Sequence, residues 1–384
     1  MSGSPSSAAG IASARPVRVG HLVYCRILGG SEAVAAEICR GLDSRSYAAS
    51  VVSMVDGPGV LPRYLEEKGV AFHRLRNFGF RRRLNPLYLA AKLRRLRFDV
   101  LHVHHVPLFA DVYRAARLAG VSVIGCTEHA KLSISRSAIL QNEVRRAAHV
   151  ADFFVTVSED LKRYFVDDLS VRPESIEVIP NGVDVGLFHP GAAPSDVGND
   201  ADGRRLITVG RLTEAKDHSN LIAAVDLLRQ AGESVQLVIV GDGELRASLE
   251  AEIARRNLGA FVTLAGARTD PQRFLREADI FVLSSAREGF PVVILEAMAS
   301  GLAVVSTDVG GISEVLKTDE NGLLVRPGDP AALAAAVRRL LSDSALRSSL
   351  GTRARETVVN RFSLRSSVER YEKLYEGALA GRVR

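Results

Sequence analysis

Short, continuously apolar runs alternate with amphipathic stretches from residue 17 onward, and this rhythm narrows the possible folds more than any other feature. Val17–Tyr24, Ser50–Val55, Asp99–Val103, Val121–Cys126, Phe153–Val157 and Ile176–Ile179 make one series. Leu206–Val209, Val235–Val240, Val262–Leu264, Ile280–Leu283, Ala303–Ser306 and Leu323–Val325 make a second. A strand with one wet face alternates apolar and polar residues. These runs do not, so they read as parallel strands covered on both faces. The stretches between them carry helical spacing, as at Val34, Ile38 and Leu42. Repeated β–α units wind into doubly wound α/β sheets. His189–Gly203 (HPGAAPSDVGNDADG) interrupts the rhythm, which restarts after it. The expected organisation is a loose tail at 1–16, a domain at 17–190, a linker at 191–203, a second domain at 204–360 and a terminal helical segment at 361–384.

A chain of 384 residues with 47% hydrophobic and 24% charged residues can build two cores and is not a disordered composition. Cys25, Cys39 and Cys126 have neither disulfide-framework nor zinc spacing, which suggests a reducing compartment. The Ser/Ala/Gly/Pro-rich start lacks the apolar core of a signal peptide, and no run approaches the length of a membrane span. A cytoplasmic protein is expected. Charge is uneven: residues 1–190 hold 25 basic against 18 acidic residues, the remainder 25 against 26. Arg74–Arg97 contains nine basic residues and no acidic one. Asn85 and Pro86 read as a helix start there, with Leu89, Leu93 and Leu96 inward. A solvated face is one reading of this segment. Docking on an anionic membrane surface, helped by Phe78 and Phe80 beside Arg81-Arg82-Arg83, is the other. No nucleic-acid-binding module accompanies the charge.

The residues that carry chemistry lie just beyond strands. Glu288-Gly-Phe-Pro-Val-Val-Ile-Leu-Glu296-Ala-Met-Ala-Ser-Gly301 places two carboxylates eight residues apart, a little over two helical turns. Pro291 suits the first helical position and Gly301 a helix stop. Both carboxylates can address one ligand from the same side, and free N–H groups at the helix start favour an anion. A phosphate flanked by carboxylates that seek hydroxyls describes a nucleotide sugar. Arg211 and Lys216 follow the first strand of the second domain, where fixed cations could stabilise a leaving phosphate. Gly29-Gly30 precedes a helix start, and His129 follows an apolar strand. His102 and His104 share a strand face while His105 points away, with no acidic ligand near in sequence, so no metal site is expected. Asp200-Ala201-Asp202 sits in the polar linker and is set aside. Gly241-Asp-Gly-Glu-Leu-Arg246 falls short of a dinucleotide fingerprint.

Together these strings resemble the retaining glycosyltransferases of the GT-B type, family 4. The resemblance rests on the E-x7-E segment, Gly210-Arg211-x4-Lys216, Gly29-Gly30, Thr127-Glu128-His129 and Ile179-Pro180-Asn181-Gly182-Val183-Asp184, and spans about residues 17–378. It implies two facing Rossmann-like domains with the last helix, about Leu364–Leu379, crossing back onto the first. It implies transfer of a sugar from a UDP- or GDP-linked donor to a sugar or lipid-linked acceptor, without a metal or other cofactor, in surface polysaccharide or glycolipid assembly. Catalytic positions carried over are His129, Arg211, Lys216 and Glu288. Donor-binding positions are Gly29, Gly30, Arg268, Gly289, Phe290, Val292 and Glu296, with the Gly289–Val293 backbone near sugar and phosphate. Here Pro291 replaces a glycine often found in the family. A nucleotide-sugar epimerase on the same fold and a non-catalytic sugar-nucleotide-binding protein are the rival readings.

Overall fold

The structure is a computed structural model describing residues 15–24, 29–54, 60–75, 86–191 and 204–382. Cys25, Phe78, Phe80, Arg81, Arg82, Arg83, Asn85, Asp200, Asp202, most of the amino-terminal tail and nearly all of the linker lie outside the described residues.

Two parallel sheets form. The first has seven strands, β1 (Val17–Val23), β2 (Tyr47–Ser53), β3 (Ala71–Arg74), β4 (Val100–His104), β5 (Val123–Glu128), β6 (Phe153–Thr156) and β7 (Glu177–Val178), ordered β3-β2-β1-β4-β5-β6-β7. The second has β8 (Arg204–Val209), β9 (Val235–Val240), β10 (Val262–Gly266), β11 (Ile280–Leu283), β12 (Ala303–Thr307) and β13 (Leu323–Val325), ordered β10-β9-β8-β11-β12-β13. Each order reverses beside its first strand, and ligands of open α/β sheets bind beyond the strand ends at such a point.

Continuous apolarity reflects burial on both faces: Val100, Leu101, Val103, Val123 and Ile124 are fully buried. The sequence reading missed β3. Its Ala-Phe-His-Arg is half-exposed at a sheet edge and has no apolar run to betray it. It also ended the fifth strand at Cys126. The strand continues through Thr127 and Glu128, so His129 is the first residue past its end.

The helix Leu364–Arg382 returns from the second domain to the first. Its Leu364, Val368, Tyr371 and Tyr375 pack with Val19, Val34, Val100, Phe153 and Val155. At the crossing, Val183 N–H donates to Phe362 O (3.0 Å) and Leu364 N–H to Val183 O (2.7 Å). A Cβ on Gly182 would lie 2.7 Å from the Leu364 backbone, so no larger residue fits there unless the chain shifts.

The carboxyl ends of the two sheets meet. Asn181 Nδ2 donates to Phe290 O (2.9 Å), and the Glu314 carboxylate accepts the backbone N–H groups of Glu159 (3.0 Å) and Asp160 (2.8 Å). Glu314 thereby supplies negative charge to the start of helix Glu159–Asp167 from the opposite domain.

Candidate active site

Beyond β11 the chain runs through Ser284–Pro291 into helix Val292–Ala299. Glu288 Oε1 accepts from both Lys216 Nζ and Ser285 Oγ, each at 2.6 Å. Lys216 comes from the short turn Glu214–Lys216 that follows β8. The two loops are tied further by Ser284 Oγ, which donates to Lys216 O (3.1 Å) and Asp217 O (2.9 Å). The cation and carboxylate that sequence reading assigned to different parts of a ligand are therefore paired with each other, and both are largely buried. Arg211, from the same loop, is exposed and forms no ion pair with a described residue. Arg268 is also exposed and lies over the Phe274 ring at 5.6 Å.

The helix begins one residue later than expected, with Pro291 as an extended N-cap (φ −73°, ψ 115°). Gly289 O accepts from Gly311 N–H, and Phe290 O from Asn181. The N–H groups of Gly289, Phe290, Val292 and Val293 have no hydrogen-bond partner among the described residues. They form a set of donors at a helix start, suited to an anion. The Phe290 side chain itself is core: it is buried, 5.7 Å from the Phe362 ring, and anchors the loop. Val292 packs half-buried against the first domain's cluster.

Glu296, a little over two turns along, is half-buried beside groups of the first domain. Burial, and then the charge of Glu37 over the opposing Lys68, raises its carboxyl to about 7. Glu37 is itself held by Lys68 (3.0 Å) and Arg40 (2.7 Å).

Facing this loop is the end of β5. A Cβ on Gly289 would lie 1.9 Å from His129 O, so the close approach of the two domains dictates glycine there and sets His129 against the residue that follows Glu288. The buried Glu128 organises this turn. Its Oε1 accepts from His129 N–H (2.8 Å) and pairs with His105 Nδ1 (2.8 Å), while Oε2 accepts from Val106 N–H (2.9 Å). Burial opposes ionisation of Glu128, but His105 and these donors win and hold its carboxyl at about 2. Burial lowers the His129 ring to about 3, so it is neutral at ordinary pH.

Gly29 caps helix Gly30–Gly41, and the Glu32 carboxylate folds over it: a Cβ on Gly29 would lie 2.7 Å from Glu32 Oε2. That helix start already has a carboxylate of its own. Gly30 has open space around its Cβ position. His102 and His104 share a face and stack 4.6 Å apart, while His105 turns to Glu128. Sequence reasoning did not single out Ser285, Glu314, His21, Tyr371 or Tyr375. Asn181 is visible in the sequence only as part of a motif, and its bond to Phe290 is not.

Residues 28–187 match the family described as Glycosyltransferase Family 4, and residues 193–357 match Glycosyl transferases group 1. A D-inositol 3-phosphate glycosyltransferase of Acidothermus cellulolyticus is 33% identical over 310 residues, covering 74% of this chain and 68% of the relative. An Escherichia coli UDP-Gal:alpha-D-GlcNAc-diphosphoundecaprenol alpha-1,3-galactosyltransferase is 27% identical over 377 residues, covering 94% and 96%. Among solved structures, Anabaena HepE in complex with UDP superposes with a TM-score of 0.80 at 23% identity, covering 94% of this chain and all of that one.

Proposed function

Given that the chain belongs to the family 4, group 1 glycosyltransferases and has the GT-B fold, we propose that it transfers a sugar with retention, and without a metal, from a nucleoside-diphosphate sugar to a hydroxyl of a sugar or lipid-linked acceptor in surface polysaccharide or glycolipid assembly. One observation carries this reading. Lys216, Glu288 and Ser285 form a compact polar cluster directly opposite His129, beside the free N–H groups of the Gly289–Val293 turn. A diphosphate entering that turn meets those N–H groups, Arg211 and Lys216. Two fixed cations balance the charge that grows on the leaving phosphate oxygen. Lys216, drawn to phosphate, releases Glu288 to accept hydrogen bonds from sugar hydroxyls. Glu296 accepts from the ribose. The leaving oxygen itself takes the acceptor proton on the front face, as the resemblance implies. Uracil is the favoured donor base, since the similar HepE structure contains UDP and the E. coli relative is named for UDP-Gal. A lipid-linked acceptor accords with the diphosphoundecaprenol in that relative's name, and with the basic Arg74–Arg97 segment as a contact for an anionic membrane surface.

A thermal-shift screen of UDP-, GDP- and ADP-sugars identifies the donor, because ligand at about a hundred times its Kd stabilises by roughly 2.7 kcal/mol. The anomeric configuration of the product, read by NMR with and without EDTA, then tests the chemistry. Retention at an unchanged rate is expected. An inverted product rejects the front-face reading, and activity lost on chelation but restored by Mn²⁺ or Mg²⁺ rejects metal independence.

A further inference from the structure

Behind His129 runs a buried line of hydrogen-bonding side chains that the proposed chemistry leaves unexplained. His129 Nε2 meets His104 Nδ1 at 2.9 Å, and His104 Nε2 meets His21 Nδ1 at 3.1 Å. His21 Nε2 meets the Tyr375 hydroxyl at 3.4 Å, which in turn meets His102 Nδ1 at 2.7 Å. His102 Nε2 meets Thr127 Oγ1 at 2.7 Å, and the Tyr371 side chain adds a hydrogen bond to Thr127. His21, His102, His104, Thr127 and Tyr375 are fully buried, and Tyr371 nearly so. Sheet register makes the line possible, because β1 pairs His21 with His102 and β5 pairs Thr127 with His104.

Nitrogen atoms of His21, His102 and His104 lie within 4.8 Å of one another, a spacing that also suits a metal ion. All six ring nitrogens already have partners in the line, however, so a relay of hydrogen bonds accounts for the geometry.

Burial lowers all four rings, His21 and His129 to about 3 and His102 and His104 well below their ordinary value. Each neutral imidazole has one N–H and one lone pair, so a line of them satisfies every member in only two orders, all donors pointing one way or all the other. The Tyr371 end decides between them. With Thr127 donating to His102, its oxygen still accepts from Tyr371 and both hydroxyl protons are placed, whereas the reverse order makes Thr127 accept from His102 and leaves one hydroxyl proton, on Thr127 or on Tyr371, without an acceptor among the described residues. With Tyr371 donating to Thr127, the order runs Thr127 to His102 to Tyr375 to His21 to His104 to His129. His129 Nε2 is then an acceptor, and its one proton sits on Nδ1, the nitrogen outside the line.

We propose that Tyr371 and Tyr375 of the terminal helix, acting through His102, His21 and His104, hold His129 in the Nδ1–H tautomer, so that it offers the sugar or the acceptor a fixed hydrogen-bond donor. The use of that donor rests on the reading of His129 as a residue beside the donor sugar. The tautomer does not. Tyr371, Tyr375, His21, His102 and His104 are positioning residues, since none meets substrate. The arrangement makes the return of the last helix a condition for a correctly set active-site histidine.

Nitrogen-detected NMR of the full chain with isotope-labelled histidine, His129 being assigned by its loss in His129→Gln, reads the tautomer directly. In the wild type, Nδ1 should be protonated and Nε2 not. Tyr375→Phe keeps the ring and removes the link. It should shift His129 toward the Nε2–H form that free imidazole favours in water. It should also lower turnover roughly tenfold on the donor found in the nucleotide-sugar screen, with UDP affinity unchanged. An Nε2–H ring in the wild type overturns the proposal. So does a folded Tyr375→Phe whose tautomer and turnover are both unaltered, or stoichiometric zinc in the purified protein that His104→Gln removes. Full turnover by His129→Gln overturns instead the placement of His129 beside the sugar, and with it the use of the donor, whatever the tautomer.

Discussion

Lys216 and Glu288 satisfy each other at 2.6 Å, so the substitution of either acts on both. On the proposed reading, Glu288→Ala removes the sugar's hydrogen-bond acceptor but leaves Lys216 free for phosphate. Nucleoside diphosphate should bind this variant at least as well as wild type, while transfer collapses because the sugar loses its alignment with phosphate and acceptor. Glu296 is assigned to the ribose, which donor and free nucleotide share. At about pH 8.5, where a carboxyl raised to about 7 is ionised, Glu296→Ala should therefore weaken UDP itself by roughly ten- to a hundredfold, the range of a hydrogen bond to a charged group. Calorimetry with UDP, paired with a transfer assay, separates the two carboxylates. If Glu288→Ala abolishes nucleotide binding and Glu296→Ala spares it, the donor lies the other way round in the site.

At the scale of elements, the terminal helix belongs to the core of the domain it reaches rather than the one it leaves. Leu364, Val368, Tyr371 and Tyr375 are each buried against the first sheet's cluster. Burying such side chains is worth about 1.5–3 kcal/mol apiece, so together they match the whole stability of an ordinary domain, about 5–15 kcal/mol. Truncation after Arg361 should unfold the first domain and leave a protease-resistant fragment beginning near residue 204. A truncated chain whose two domains still unfold together at the wild-type temperature contradicts that assignment. The helix could be seen in the sequence as an amphipathic stretch, but its destination came only from the resemblance, because periodicity says which face is buried and not against what. The long strands were legible for the opposite reason: double burial writes itself as unbroken apolarity in runs such as Val235–Val240. The short edge strand β3 carries no such mark. Of the line behind His129 only the shared strand face of His102 and His104 was legible, since His21 and His102 become neighbours only through the β1–β4 register, which no local pattern encodes.

At the scale of the whole molecule, the excess of positive charge falls in the half that holds the first sheet, and none of it is needed for the cluster at Glu288. Helix Pro86–Leu96 shows how the basic segment is built. It buries Leu89 and Leu93, leaves Arg94 and Arg95 outward, and exposes Leu87 and Tyr88 near its start. An exposed leucine and tyrosine among cations suit the boundary of an anionic bilayer, where each basic residue near the surface contributes about 1 kcal/mol. No helix among the described residues is long and apolar enough to cross a membrane, so any attachment through them would be peripheral and salt-sensitive. Replacing Arg81, Arg82 and Arg83 with Ala should then weaken binding to phosphatidylserine-containing vesicles by roughly a hundredfold. It should leave binding to neutral vesicles and the affinity for UDP unchanged, because the proposed diphosphate site lies in the other domain. Sedimentation with vesicles at low and high salt reads the effect. Equal binding by wild type and triple variant, or no binding by either, returns the segment to a solvated face and leaves the acceptor to be recognised by its sugar alone.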